Sequence, residues 1–371
     1  MKILINKNLL LENLAVVGKA VSTRAPMPIL ECVLIKAQGS SVKVYGNDLE
    51  LGIVSADMEA TVDVPGSVAI EAKMLLEIVR KMPDAYIRIE TDKSNVTRLN
   101  SGRTEFKVLG LDGEEFPLPN TNSSDEVFEV NASDFKDMIR QTIFSVAQDE
   151  SKPVLTGELI EIKDGELHLV AVDGFRIAYR KSRLPEYDAG ASFKAVVPAK
   201  TLNELARALP SEGEEKLRFY LSGNQIVFDL TRYRFISRLI EGEFIRYNQI
   251  FNEDHTTMVN ISNPIFLDSI ERVSLIARDV KKSPVKLSIG NDIIELSSTA
   301  EMGVSYDEAA ADVDGNPLEI AFNPRFLAEA LRAIGDEKVI LLFTAPLSPC
   351  IIKGADNPVY KYLILPLRMK G

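Results

Sequence analysis

The sequence has no tryptophan, two histidines and two cysteines in 371 residues, and each shortage closes off a class of protein. Cys32 and Cys350 stand far apart and in no CxxC spacing, which argues against a disulfide scaffold or a zinc ribbon and for a reducing compartment. Both read as core residues. His168 alternates within a strand-like stretch and His255 lies in a polar linker, contexts that suit structure better than catalysis. Without tryptophan there is no strong stacking platform for single-stranded bases. No apolar run approaches the ~18 residues of a membrane span. The opening Met1 to Ile5 turns polar at Asn6, Lys7 and Asn8, too soon for a signal-peptide core. The expectation is a cytoplasmic protein with no membrane contact.

An excess of positive charge is missing too. Lys and Arg total 43 against 54 Asp and Glu, a net charge of -11, which argues against coating nucleic acid through overall charge but leaves room for a local basic surface. The local signatures GxxxxGK(S/T), GxGxxG, HExxH, GxSxG and DxDxDG are absent, so neither a cofactor nor a metal is expected. The carboxylate pairs Glu114-Glu115 and Glu214-Glu215 read as solvated loop charge. No Asp/Glu pair stands out as a hydrolytic dyad.

What the chain does have is apolar material, 46% of its residues, enough for two to four packed domains. It also repeats itself. IEAKMLLEIVRKMP from Ile70, VPAKTLNELARALP from Val197 and FNPRFLAEALRAIG from Phe322 share a basic residue, a Leu two later, a Glu four later and an Arg seven later. The glutamates, Glu77, Glu204 and Glu329, are 127 and 125 residues apart, so the repeating unit is a whole domain. VKVYGNDLELGIVSA from Val42 matches LHLVAVDGFRIAYRK from Leu167, with Asp48 and Asp173 again 125 apart, and both read as paired strands around a turn. The third copy, IELSSTAEMGVSYDE from Ile294, has Ala300 where the others have Asp. An amphipathic helix opens each unit near Leu9, Phe135 and Ile265. The pattern predicts an α+β fold of three similar domains, 1–125, 126–254 and 255–371, each with antiparallel sheet and two helices.

Seven residues close two helical turns to within about 20°, so Lys73 with Arg80, Lys200 with Arg207, and Arg325 with Arg332 form stripes about 10.5 Å long. For one helix the plain reading is a solvated face, with Glu77 pairing to Arg80. Recurrence in three copies points instead to contact with a polyanion, duplex before single strand, through phosphate contacts that carry no sequence readout. Triplication also disfavours an enzyme, since a catalytic site usually breaks the equivalence of copies.

With these pieces in hand the chain resembles the bacterial DNA sliding clamps, the beta subunits of DNA polymerase III. The resemblance runs through STRAPMPIL from Ser22, GNDLELGI from Gly46, GRTEFKV from Gly102, FSVAQDESKPVLTGELIEI from Phe144, AVDGFRIA from Ala171, SRLIEGEF from Ser237 and YLILPLRM from Tyr362. It implies a non-enzymatic processivity factor: a head-to-tail homodimer closed into a ring around duplex DNA, helices lining the hole. The implied partners are the replicative polymerase, the clamp loader and other proteins with a clamp-binding motif.

The resemblance also assigns residues. Arg24, Gln148 and Lys152 fall on its DNA-contacting positions, with Pro153 and Val154 where some members carry paired tyrosines. Its peptide cleft maps to Leu155, Val172, Gly174, Phe175, Arg176, Ile177, Pro349, Leu363, Leu365, Pro366, Leu367 and Arg368. Phe175 replaces a frequent His, Ile245 a frequent Pro, and Leu365 and Leu367 replace methionines. Its subunit seam maps to Phe106 and Val108 on one side and Leu275 and Ile276 on the other. The competing reading is a carbohydrate-active or other hydrolytic enzyme built from repeated α+β units.

Overall fold

The structure, a computed structural model, describes residues 1–22, 27–119, 126–149, 151–184, 187, 190–276, 284–301, 303–356 and 359–368. In the first third, β1 (Lys2–Asn6) leads into α1 (Lys7–Val17). Then come β2 (Cys32–Gln38), β3 (Ser41–Asn47), β4 (Leu51–Ser55), β5 (Met58–Val64), β6 (Gly66–Glu71), α2 (Ala72–Lys81), β7 (Tyr86–Thr91), β8 (Val96–Ser101), β9 (Thr104–Leu109) and β10 (Leu111–Asp112). The middle third has β11 (Phe128–Asn131), α3 (Ala132–Thr142), β12 (Gly157–Lys163), β13 (Glu166–Val172), β14 (Arg176–Arg183), β15 (Phe193–Pro198), α4 (Ala199–Ala208), β16 (Lys216–Ser222), β17 (Gln225–Asp229) and β18 (Tyr233–Arg238). The last has β19 (Thr257–Ser262), α5 (Asn263–Ser274), β20 (Val285–Gly290), β21 (Ile293–Ala300), β22 (Gly303–Ala310), β23 (Asp312–Gly315), β24 (Leu318–Phe322), α6 (Pro324–Ala333), β25 (Lys338–Phe343), β26 (Cys350–Gly354) and β27 (Tyr360–Ile364). Strand, helix, strands, helix, strands recurs three times, as the repeat predicts.

The pairing recurs as well. The strands between the two helices of each copy line up as β6-β2-β3-β4, β15-β12-β13-β14 and β24-β20-β21-β22. The strands outside them line up as β1-β7-β8-β9, β11-β16-β17-β18 and β19-β25-β26-β27. Two antiparallel seams then join the sets: β4 to β18, with Gly52 opposite Ile236, and β14 to β27, with Ile177 opposite Leu363. Their counterparts β22 and β9 remain at the edges of their sheets.

These seams explain how the chain divides into compact units. One unit is Met1–Ser133 with Glu204–Leu239 and contains the β4–β18 seam; the other is Asp134–Asn203 with Ile240–Gly371 and contains the β14–β27 seam. The middle repeat therefore contributes to both, because its edge strands hydrogen-bond to strands of its sequence neighbours.

Local signals set the helices. Asn6, Glu71 and Asn323 cap α1, α2 and α6, accepting from N–H groups two or three residues on at 2.6–3.1 Å. The first residue of each opening helix donates its N–H to the loop after the second helix: Lys7 to the Ala85 carbonyl at 2.8 Å, Ala132 to Glu215 at 2.9 Å and Asn263 to Glu337 at 2.9 Å. Side chains add to this clamp, Lys7 Nζ reaching the Met82 carbonyl at 2.6 Å and Asn263 Nδ2 those of Leu331, Ile334 and Asp336 at 3.0–3.2 Å. The backbone contacts use N–H groups that a helix start leaves open, and the side-chain contacts to Met82, Leu331 and Ile334 use carbonyls that a helix end leaves open.

The turns account for the repeated aspartate and its loss. Asp48 Oδ1 accepts the Glu50 and Leu51 N–H groups at 3.0 and 2.7 Å, and Asp173 Oδ1 those of Phe175 and Arg176 at 2.9 and 3.0 Å. Both close a three-residue turn whose middle residue is left-handed, Leu49 at φ 74° and Gly174 at φ 91°. In the third copy the ladder runs on to Ala300 opposite Gly303, so only two residues connect the strands and no Asx bridge is needed.

Candidate functional site

The six basic residues of the helix stripes are all exposed, carried outward because Leu75, Ile78 and Val79 on α2, and Leu327, Ala328 and Leu331 on α6, face inward. The four arginines form ion pairs. Arg80 pairs with Glu77 and Arg207 with Glu204, each one turn back on its own helix. Arg325 pairs with Glu329 at 2.8 Å, and Arg332 with Glu271 of α5 at 2.6 Å. In the first two copies the shared glutamate thus holds the shared arginine, and in the third it holds Arg325 instead. Lys73 and Lys200 stand at the exposed starts of their helices. Gln148 and Lys152 lie exposed in the stretch before β12. Arg24 lies outside the described residues.

Four of the cleft residues, Leu155, Val172, Ile177 and Leu363, gather on one sheet face. Along β13, β14 and β27, alternate side chains go to opposite faces. Ala178, Tyr362 and Ile364 join Phe266, Leu327 and Leu331 of α5 and α6 in one core. Val172, Ile177 and Leu363 point the other way, into a second apolar cluster with Leu155, Val170, Phe244, Tyr247 and Ile351 that contains no residue of an α-helix. The floor is buried, Leu155, Val172, Ile177 and Leu363 being at most 6% exposed. Phe175 and Leu365 rise from it at 62% and 38% exposure, and the Leu365 N–H donates to the Phe175 carbonyl at 2.9 Å, extending the seam by one rung. Pro366 and Leu367 are half-buried, while Gly174, Pro349 and Arg368 are exposed.

Arg176 does not line this groove with its side chain. It is 4% exposed and turns to the helix side, its Nε donating to Asp173 Oδ2 at 2.8 Å, Nη2 to the Phe144 carbonyl at 2.5 Å, and Nη1 to Glu329 and to the Tyr362 hydroxyl at 3.2 Å. The Phe326 ring lies 4.2 Å from its guanidinium carbon. Five donors in a planar fork satisfy these partners together, which lysine could not do. The residue ties the groove strand to α6, and Glu329 serves both Arg176 and Arg325.

Beside the groove floor, His168 Nδ1 and the Tyr179 hydroxyl are 2.9 Å apart, and the Tyr247 hydroxyl donates to Glu161 at 2.5 Å. Burial lowers the His168 pKa from its ordinary 6.5 and raises that of Tyr179 to about 12, so these two rings are uncharged at pH 7. Of the seam residues, Phe106 and Val108 lie on the edge strand β9, 37% and 8% exposed; Leu275, just after α5, is 78% exposed and Ile276 half-buried.

Three family descriptions match the chain in order: DNA polymerase III beta subunit, N-terminal domain over residues 1–120, central domain over 129–245 and C-terminal domain over 248–368. The chain belongs to the DNA polymerase III beta subunit family. It is 34% identical over 359 residues to the beta sliding clamp of Staphylococcus epidermidis, 94% of each chain being covered. It is similar in structure to a putative DNA polymerase III beta subunit from Eubacterium rectale, with 36% identity and a TM-score of 0.94, and to the DNA polymerase sliding clamp of Bacillus subtilis, with 32% and 0.95, both over 100% of each chain. A member of this family is a DNA polymerase processivity clamp of three clamp domains, a non-catalytic subunit, and the hydrolase reading falls. Among the described residues, no helix is long and apolar enough to cross a membrane.

Sequence reading missed part of this clamp's groove wall. Phe244 and Tyr247 come from the stretch after β18. The signal was there in the near-repeat of GEEF from Gly113 and GEF from Gly242.

Proposed function

We propose that two copies of this chain join head to tail into a ring around duplex DNA and that the apolar groove at the β14–β27 seam tethers polymerases, the clamp loader and other partners by short extended peptides. The observation that carries it is the unequal use of sheet edges. Two of three equivalent edge pairs are joined within the chain, β4 to β18 and β14 to β27, while β22 and β9 each leave their outer edge unpaired among the described residues. A second copy offering β9 to β22 repeats the same seam, and a heterologous contact of this kind must close a ring or grow into a filament. Exposed Val304 and Tyr306 on β22, at 71% and 57%, and Leu275 beside them supply apolar surface for that contact, with Phe106 and Val108 opposite. Ile276 adds to it. Free strand edges with apolar side chains are otherwise an aggregation hazard.

In this reading the repeats correspond to domains of 1–125, 126–254 and 255–371, and the protein works in the cytoplasm. Lys73, Arg80, Lys200, Arg207, Arg325 and Arg332, with Arg24, Gln148 and Lys152, meet phosphates, while the net charge of -11 discourages collapse onto DNA elsewhere. Phe175, Leu365 and the buried floor anchor the partner peptide, a few apolar anchors carrying most of the affinity. Arg176 acts indirectly by holding β14.

The test is retention on nicked circular DNA after loading by the chain's own loader and ATP, before and after the circle is cut. Retention on the circle with rapid loss on linearisation is expected from topological linkage. Equal retention on both forms would mean simple electrostatic binding and would overturn the ring.

A further inference from the structure

The β4–β18 seam repeats the β14–β27 seam, and it has a cavity of its own. The offset of 125 that aligns Asp48 with Asp173 aligns Tyr45 with Val170 and Val54 with Tyr179, and strand register aligns Ile236 with Leu363. Val54, Tyr220, Val227 and Ile236 form a buried apolar cluster against Tyr45, the counterpart of the groove floor. Beside it opens a cavity of about 340 Å³ lined by Lys43, Tyr45, Val54, Leu118, Tyr233 and Arg234 among others. That volume is within the range of small-ligand sites.

Three features point to its occupant. Leu118 is 53% exposed at the rim, the position from which an apolar anchor would be gripped. Tyr233, 6% exposed, walls the cavity. Two cations, Lys43 and Arg234, line the cavity against one carboxylate, Asp229. Lys43 is held at 3.1 Å by Asp57 and Arg234 at 3.0 Å by Asp229, so both are positioned and still present N–H groups to a further anion. Gly52 preserves the shape: a Cβ there would come within 2.7 Å of Pro119, which lines the same cavity.

We propose that this seam is a second docking site, taking a short extended peptide with an apolar anchor flanked by carboxylates. The inference takes its binding mode from the proposed C-terminal groove, and the experiment separates the two. The probe is an acetylated tetrapeptide, Asp-Leu-benzoylphenylalanine-Glu, photo-crosslinked to the full-length protein and mapped by mass spectrometry. Leu118→Glu and Leu365→Asp alter one exposed position in each site, and circular dichroism checks their fold. The expected result is crosslinking within 43–54 and 229–236 that survives Leu365→Asp, falls about tenfold in Leu118→Glu, and is weak with Lys replacing both acidic residues of the probe. Crosslinks confined to the C-terminal groove, full yield in Leu118→Glu, or equal labelling by the basic probe would overturn the second site. Crosslinks confined to the β4–β18 seam would support it and count against the groove reading.

Discussion

At the scale of the residue, two positions carry conformational or titration costs that can be measured. Leu49 occupies the left-handed middle of its turn at φ 74°, where the equivalent turn has Gly174, and it is 44% exposed with little packing to lose. Left-handed backbone costs a residue with a Cβ roughly 1–2 kcal/mol, so Leu49→Gly is expected to stabilise the protein by about 1 kcal/mol in urea titration, despite the added freedom of the unfolded chain. Glu158 is fully buried: its Oε1 meets the Thr142 hydroxyl, which donates to the Met138 carbonyl at 2.7 Å, and its Oε2 has no partner among the described residues. Burial raises its pKa from 4.5 to about 8. Between those values the unfolded chain has released the proton while the folded chain holds it. Stability therefore falls as pH rises, at up to about 1.4 kcal/mol per unit, and levels off above the folded pKa. Glu158→Gln is expected to match the parent near pH 4 and to be the more stable by pH 8, read from denaturation midpoints across the series.

At the scale of the element, the helices combine two roles in one pattern of side chains. The glutamates at 77 and 204 hold the arginines one turn on, so each helix that faces DNA in the proposed ring presents a partly neutralised stripe. Glu77→Gln and Glu204→Gln should release Arg80 and Arg207 to phosphate and strengthen DNA retention at low salt. Each new phosphate contact steepens the slope of log affinity against log salt by about 0.9, which a salt titration of retention would read. An unchanged slope would mean that those arginines do not face DNA. Glu329 is different because it also holds the buried Arg176. Its replacement by Gln is expected to lower stability as well, since it weakens a network that joins α6 to β14.

At the scale of the whole molecule, the arrangement depends on which strand edges find partners. In the proposed ring, β9 and β22 meet between copies, and Leu275, 78% exposed, lies at that contact. Leu275→Asp should cost about 2 kcal/mol or more of dimerisation while leaving the protomer folded, so sedimentation at fixed concentration should shift toward the monomer mass. An unshifted mass would place the subunit contact elsewhere. Leu365→Asp is the corresponding test of the groove, preferable to removing the chain from residue 363 onward, because Leu363 and Ile364 pair with β14 and are buried.

Much of this was legible in the sequence because it is written in short-range signals. Repeated Leu, Glu and Arg columns declared three domains and two helices in each. Asp48 and Asp173 declared their turns, and Ala300 marked the copy whose turn is built differently. The scarcity of Cys and His and the absence of nucleotide or hydrolase motifs turned the reading away from enzymes. Three other features needed the tertiary structure. Strand edges offer nearly the same row of N–H and C=O groups wherever they occur, so sequence does not say that β4 selects β18 and β14 selects β27, splitting the middle repeat between two compact units. Arg176 read as part of the groove, and only the fold shows the Phe144 carbonyl and Glu329 that receive its side chain on the face opposite Ile177. The cavity beside Tyr233 is made by residues that come together from positions 43, 118 and 233, and the side chains that share a surface after folding are set by that packing and not by their spacing along the chain.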